Sequence, residues 1–148
     1  MKKLSFIFAL LFISTLAFAQ DITQGTWFNE QKTSKIQFYK QGNKLFGKIV
    51  WLKEPLENGK PRVDKFNSDA KLKIRPLMGL VFLTNFTADG EKVWEDGEIY
   101  DPNNGKTYSC TIKIKKSNEL EIRGFIGISL LGRTTIWTRS SQSPKDGN

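Results

Sequence analysis

Apolar and polar residues alternate with a period of two along most of the chain. In Ser34-Lys35-Ile36-Gln37-Phe38-Tyr39, Ile36 and Phe38 share one side and Lys35 and Gln37 the other; from Tyr108 to Lys115 the same alternation carries Cys110, Ile112 and Ile114. A period of two puts successive side chains on opposite faces of an extended segment, one buried and one wet. The rule predicts further strands at residues 26–29, 44–52, 80–86, 97–100, 119–125 and 133–138, giving about eight strands in an all-β chain. Gln41-Gly42-Asn43, Ala88-Asp89-Gly90, Asp101-Pro102-Asn103-Asn104-Gly105 and Ser117-Asn118 punctuate them with turn-forming residues, and Glu95-Asp96-Gly97 reads as another turn. Short strands at regular spacing argue for a sandwich or a barrel.

Residues 53–78 break the rhythm. The segment is long, carries Pro55, Pro61 and Pro76, and contains Asn67-Ser68-Asp69-Ala70-Lys71-Leu72-Lys73, where Asn67 or Ser68 is placed to cap a short helix. Long ordered connections in small domains are often functional. This one is expected either to form a lid across one barrel mouth or simply to cover an open end.

The two ends of the chain bear on the choice between sandwich and barrel. Gly25-Thr26-Trp27 opens the first strand and resembles the G-x-W that begins lipocalin and related calycin barrels, where the tryptophan plugs the closed end. In that superfamily a basic side chain of the last strand packs over the indole, a cation on an aromatic face worth about 0.5–2 kcal/mol. Arg139, two residues after Trp137, is the candidate, so Gly25, Trp27 and Arg139 are assigned to barrel closure. The expected fold is an eight-stranded antiparallel up-and-down barrel of lipocalin-like type.

Lys2 and Lys3 precede an uncharged apolar run from Leu4 to Phe18, and Ala17-Phe18-Ala19 supplies small residues for cleavage. Residues 1–19 therefore read as a secretory signal, too short for a comfortable transmembrane span. Residues 20–140 are expected to form one domain, and the polar residues 141–148 are expected to be a disordered tail. The expected location is the periplasm or the medium. Loss of Lys2 and Lys3 lowers the formal charge from +8 to +6. The remaining lysines are dispersed, which suits a solvated surface better than a nucleic-acid site, although an anionic surface remains a second reading. A monomer is expected.

Over residues 25–139 the chain resembles a family of exported bacterial proteins known as domain of unknown function 2147. The resemblance rests on Gly25-Thr26-Trp27, Gly47-Lys48-Ile49-Val50-Trp51-Leu52, Asp64 and Asn67 followed by Arg75-Pro76-Leu77-Met78-Gly79-Leu80, Trp94, Gly97, Ile99-Tyr100-Asp101-Pro102, Gly105-Lys106-Thr107-Tyr108, and residues 123–139. The family often has proline after the loop asparagine, where this chain has Ser68. Membership implies a lipocalin-like barrel and transfers no catalytic residues.

Candidate chemistry narrows by exclusion. The chain has no histidine, which removes Ser-His-Asp and Cys-His catalysis and histidine-ligated zinc. Cys110, the one cysteine, falls on the apolar face of its strand and reads as a small buried hydrophobe; no internal disulfide is possible. Glu95, Asp96, Glu98 and Asp101 are the carboxylates from which a hydrolase would need an opposed pair. Asp101-Pro102-Asn103-Asn104-Gly105 lacks the glycine position and terminal glutamate of a calcium loop. Asp64, Asn67 and Asp69 have no standard metal spacing and suit capping or turns. No metal, cofactor or catalytic residue is assigned.

A binding role fits the remaining residues. Leu45, Gly47, Ile49 and Trp51 lie on one face of their strand, and with Phe82, Tyr100 and Trp137 they are expected to line the interior, which is either filled or hollow. Arg123 and Arg133 flank the glycine-rich turn of the last hairpin. An inward guanidinium in an apolar barrel demands an anionic partner, and a fatty-acid carboxylate suits it; outward arginines would be structural. The candidate ligand-binding residues are thus Trp51, Tyr100, Arg123, Arg133 and Trp137. The expected function is a non-enzymatic barrel binding a small apolar or amphipathic molecule. The alternatives are an envelope structural or interaction protein with a filled barrel, and a carboxylate hydrolase or isomerase.

Overall fold

In the computed structural model, which describes residues 21–128 and 130–140, eight antiparallel strands close into a barrel. The expected signal segment at 1–19 and tail at 141–148 lie outside the described residues. The barrel strands are β1 (Trp27–Phe28), β2 (Ser34–Gln41), β3 (Lys44–Leu52), β6 (Val81–Asp89), β7 (Val93–Asp101), β8 (Lys106–Lys116), β9 (Glu119–Phe125) and β10 (Gly132–Arg139); β4 (Leu56–Glu57) and β5 (Lys60–Pro61) form a separate small hairpin. The ring order is β1-β10-β9-β8-β7-β6-β3-β2. Each strand pairs with its sequence neighbour, except that the β4–β5 hairpin interrupts the step from β3 to β6. β1 closes the ring by pairing with both β2 and β10.

The connections sort to two ends. Tight turns join β2 to β3, β6 to β7 and β8 to β9 at one end. The β1–β2 loop, the long segment between β3 and β6, the β7–β8 loop and the β9–β10 hairpin gather at the other. Toward the tight-turn end Trp27, Phe38, Leu45, Leu83, Phe86, Ile112 and Leu120 are fully buried and pack the interior. Trp27 donates its indole N–H to the Ile22 carbonyl at 2.9 Å. The Arg139 guanidinium carbon stands 4.1 Å from the Trp27 ring centroid. Arg139 also donates to the Ser117 carbonyl at 2.9 Å and to the carbonyls of Gln24 and Asp21. Gly25 lies beside that guanidinium. The plug therefore ties the segment preceding β1 to the β8–β9 turn.

Residues 95–97, expected as a turn, lie inside β7. Between the pairs Thr84↔Glu98 and Thr87↔Glu95 the β6–β7 ladder opens, and Asn85 and Asp96 take positive φ values of 62° and 58°. The cause is Phe86. Its ring occupies the space above Gly97, where a Cβ would fall 2.3 Å from Phe86 Cδ1. A strand able to host that ring needs a glycine there, and Asp96-Gly97 supplies turn-like residues without a turn.

The helix expected after Asn67 does not form; the described residues contain no helix. Asn67 Oδ1 accepts the Asp69 N–H at 2.8 Å and Asp69 Oδ1 accepts the Lys71 N–H at 2.9 Å, so these side chains build successive Asx turns instead of an N-cap. The segment pairs with itself. The Asp64 N–H donates to the Arg75 carbonyl and the Leu77 N–H to the Arg62 carbonyl, each at 2.9–3.0 Å, around a bridge between Val63 and Pro76. Asn58 (φ 51°) and Gly59 (φ 75°) make the β4–β5 turn, an Asn-Gly hairpin of the primed kind.

Replacing Arg139 by alanine removes both the cation from the Trp27 face and a donor shared among three carbonyls, and urea unfolding should show a loss of about 2–4 kcal/mol. Arg139→Lys keeps the charge but not the planar fork, and should recover less than half of that loss.

Candidate functional site

Above its packed floor the barrel is hollow. A cavity of about 370 Å³ opens at the loop end, with Phe82, Trp137, Ile36, Ile49, Ile99 and Ile122 among its walls. Trp137 forms part of the base, with its ring 6.3 Å from that of Phe38 and 6.2 Å from that of Phe82. The rim is polar: Asn29 and Thr33 come from the β1–β2 loop, Arg62 from the long segment, Asp101 from the end of β7, Asn103 from the β7–β8 loop, and Arg133 from β10. The cavity is thus apolar in depth and hydrogen-bonding at its mouth.

Strand register decides which candidate side chains reach this space. On β10, Arg133, Thr135 and Trp137 face in, and Gly124 stands opposite Arg133. Arg133 is exposed at the mouth, where the small partner leaves it room. Arg123 does not face the cavity. Leu120, Ile122 and Gly124 take the inner positions of β9, so Arg123 points outward and donates to Thr134 Oγ1 at 2.8 Å.

Trp51 is a second correction. Lys35 pairs with Trp51 but Ile36 pairs with Ile49, so β3 carries one extra residue at this point. That bulge reverses the alternation beyond Ile49 and gives the inner place to Leu52, which lines the cavity. Trp51 turns to the outer surface, where its ring meets Phe28 edge-on at 6.0 Å and the Lys35 ammonium lies 5.3 Å from its centroid. Alternation read along one strand could not reveal a bulge set by its neighbour.

Tyr100 sits at the cavity wall and anchors the long segment. Its hydroxyl donates to Asp64 Oδ1 at 2.6 Å, while Asp64 Oδ2 accepts from Asn67 Nδ2 and Arg75 Nε, each at 2.8 Å. Asn67 Nδ2 also donates to the Tyr100 oxygen at 3.1 Å. The Arg75 guanidinium stands 5.4 Å from the Tyr100 ring centroid. Asp64 is fully buried, and these three donors together with the arginine charge make that burial tolerable. Burial and then the neighbouring carboxylate raise the Tyr100 pKa above its ordinary value. Gly105 lets the segment come close, since a Cβ there would lie 2.0 Å from the Phe66 carbonyl oxygen. The long segment is therefore a strap bolted to β7 and the β7–β8 loop at the cavity's edge.

The chemical inventory of the cavity is short. Asp101 is the one carboxylate among the described residues that line it, and its Oδ1 accepts the Asn103 N–H at 2.9 Å. Glu98 is exposed on β7. Cys110 is buried in the wall of the barrel, and burial pushes its thiol up to about 12, far from a reactive thiolate. No group of acidic or thiol side chains suited to a metal ion occurs among the described residues.

A family model for uncharacterized proteins conserved in bacteria, domain of unknown function 2147, matches residues 25–139. The chain belongs to that family. The matched span runs from the Gly25 that precedes the plug to the Arg139 that covers it. Among solved structures, the protein is similar to HP1028 from the human pathogen Helicobacter pylori, described as belonging to the lipocalin family, with a TM-score of 0.72 and 23% identity over 82% of this chain and 84% of that one. That likeness establishes the lipocalin-like fold. A redesigned β-barrel is a more distant neighbour, at a TM-score of 0.44 and 12% identity over 87% of this chain and all of that one. No curated protein matches the chain. No helix among the described residues is long and apolar enough to cross a membrane.

The raised pKa gives Tyr100 a signed pH dependence. Its folded value lies above the ordinary tyrosine value of 10.0, so its contribution to stability is complete below about pH 10 and is lost as pH rises through the folded value. Thermal stability of the parent protein should fall more steeply above that pH than that of Tyr100→Phe. Below it, Tyr100→Phe should cost about 1–3 kcal/mol and speed hydrogen exchange at Asp64 and Leu77 while leaving β8 and β9 unchanged.

Proposed function

We propose that this protein is an exported, non-enzymatic carrier of one small amphipathic molecule with an anionic head. The observation that carries the reading is the cavity: about 370 Å³ of space with an apolar base and two arginines, Arg62 and Arg133, at its mouth. That volume falls within the range of small-molecule sites, about 300–1,000 Å³. A chain carboxylate, sulfonate or phosphate would take the guanidinium end, and its hydrocarbon part would lie against Phe82, Trp137 and the isoleucines. A fully packed interior, the chief alternative, is limited to the tight-turn half.

Absence of opposed carboxylates in this cavity argues against hydrolysis by an acid–base pair, which needs two groups about 5–9.5 Å apart. The lack of histidine in the chain removes the commonest proton shuttle near neutral pH. Export rests on the basic, apolar and small-residue pattern of residues 1–19.

Binding of 1-anilinonaphthalene-8-sulfonate, followed by its fluorescence, tests the reading. The dye should occupy one saturable site, be displaced by dodecanoate, and be excluded when Thr135→Trp fills the cavity. Arg133→Ala should weaken dodecanoate by about three- to tenfold, solvent screening holding the effect to that size, and leave dodecanol unchanged. Dye binding that persists unaltered in Thr135→Trp would place the dye elsewhere and remove the cavity from the account.

A further inference from the structure

The loop end of the barrel carries exposed aliphatic side chains on two separate projections. In the β9–β10 connection Ile126, Ile128, Leu130 and Leu131 are 66%, 59%, 84% and 67% exposed; in the strap Ile74 is 79% exposed and Leu72 and Met78 lie close by in sequence. The ring order places these projections on opposite sides of the mouth, with β8 and β7 between them one way round and β1 and β2 the other. They stand at the same end of the barrel, with the cavity opening between them.

Cations outnumber acids beside the projections, Asp69 being the nearest carboxylate on the strap. Lys71, Leu72, Lys73, Ile74 and Arg75 alternate cation and aliphatic, Arg133 stands at the base of the hairpin, and residues 123–139 contain no acidic side chain. The hairpin is also prepared for a dry environment. The Ile126 N–H donates to the Leu131 carbonyl at 3.1 Å, the Ile128 N–H to the Ile126 carbonyl at 2.9 Å, and the Leu131 N–H to the Ile128 carbonyl at 3.0 Å. An apolar tip that satisfies these backbone donors internally loses less on leaving water than an open loop does.

We infer that this end of the barrel docks on an anionic lipid bilayer, with the β9–β10 tip and the Ile74 region of the strap entering the interface and Lys71, Lys73 and Arg133 meeting the headgroups. Scattered aliphatic points with basic neighbours suit a fluid apolar phase under negative charge, which needs no shape complementarity. A protein partner would be better served by one continuous patch with aromatic anchors. The inference rests on the carrier reading for its consequence: the cavity mouth faces the membrane, so an amphipathic molecule passes between bilayer and barrel without crossing water.

Flotation of the purified protein with vesicles of phosphatidylglycerol and phosphatidylethanolamine, against vesicles of phosphatidylcholine, tests the docking. The protein should float with the anionic vesicles and not with the neutral ones. The double variant Ile128→Ser/Leu130→Ser, and separately Ile74→Ser, should each reduce flotation by about tenfold or more, as removal of that much insertable apolar surface implies. Raising salt from about 0.1 M to about 1 M, which shortens the screening length from about 10 Å to about 3 Å, should weaken it further. None of these side chains lines the cavity, so the variants should still bind 1-anilinonaphthalene-8-sulfonate; that readout proves the fold and separates failure of docking from failure of the carrier reading. Equal flotation with both vesicle types, or flotation untouched by the variants, overturns the inference. So does a concentration-dependent dimer in light scattering that the hairpin variant dissociates, because a second copy would then cover this surface.

Discussion

Arg139 lays its guanidinium on the Trp27 indole and holds the carbonyls of Gln24 and Ser117, so the segment before the first strand and the β8–β9 turn are fixed by one side chain at one end of the barrel. An eight-stranded ring has an interior that side chains can fill, or that can hold one small ligand. Here it does both in succession. With Trp27 as a floor, Phe38, Phe86, Leu45 and Leu120 pack the lower half, and the upper half is released from the need to fill itself. The ring over Gly97 belongs to the same economy of space: Phe86 is packed so tightly that β7 must give up a side chain and part of its ladder to hold it.

The cavity mouth depends on a second fixed point. Asp64 is fully buried, and its accepted bonds from Tyr100, Asn67 and Arg75 convert a long proline-bearing connection into a strap with a set position. Tyr100 thereby does two jobs. Its hydroxyl tethers the strap, and it stands in the wall of the space that the strap borders. Removing any one of these polar partners leaves a buried carboxylate under-satisfied, which couples access to the cavity with the stability of the loop beside it.

Much of this architecture is legible in the amino-acid order. Alternation at residues 34–39 and 108–115, with Gly and Asn turns between, predicts strands there, and the plug follows from the resemblance of Gly25-Thr26-Trp27 and the terminal Arg139 to lipocalin-like barrels. What escapes is set by neighbours. Trp51 lies on the right strand, but a bulge against β2 turns it outward; Arg123 and Arg133 look equivalent in sequence, yet the register of β9 against β10 sends them to opposite faces. Asn67 looks like a helix cap because one of its partners, Tyr100, lies 33 residues away on β7, and the local alternatives, Asp64 and an Asx turn to Asp69, use the same residue types that a cap does. The Asn58-Gly59 hairpin, by contrast, had a local signal in the sequence, and Arg62 at the cavity rim had none.

The central claim is that the upper half of the barrel exists to hold a molecule, and native mass spectrometry of protein taken from its own cells tests it most directly. The account predicts a second species, heavier by one small molecule at one-to-one stoichiometry, that is absent when Thr135→Trp fills the cavity. A single apo mass that stays unchanged after incubation with a total lipid and metabolite extract would contradict it.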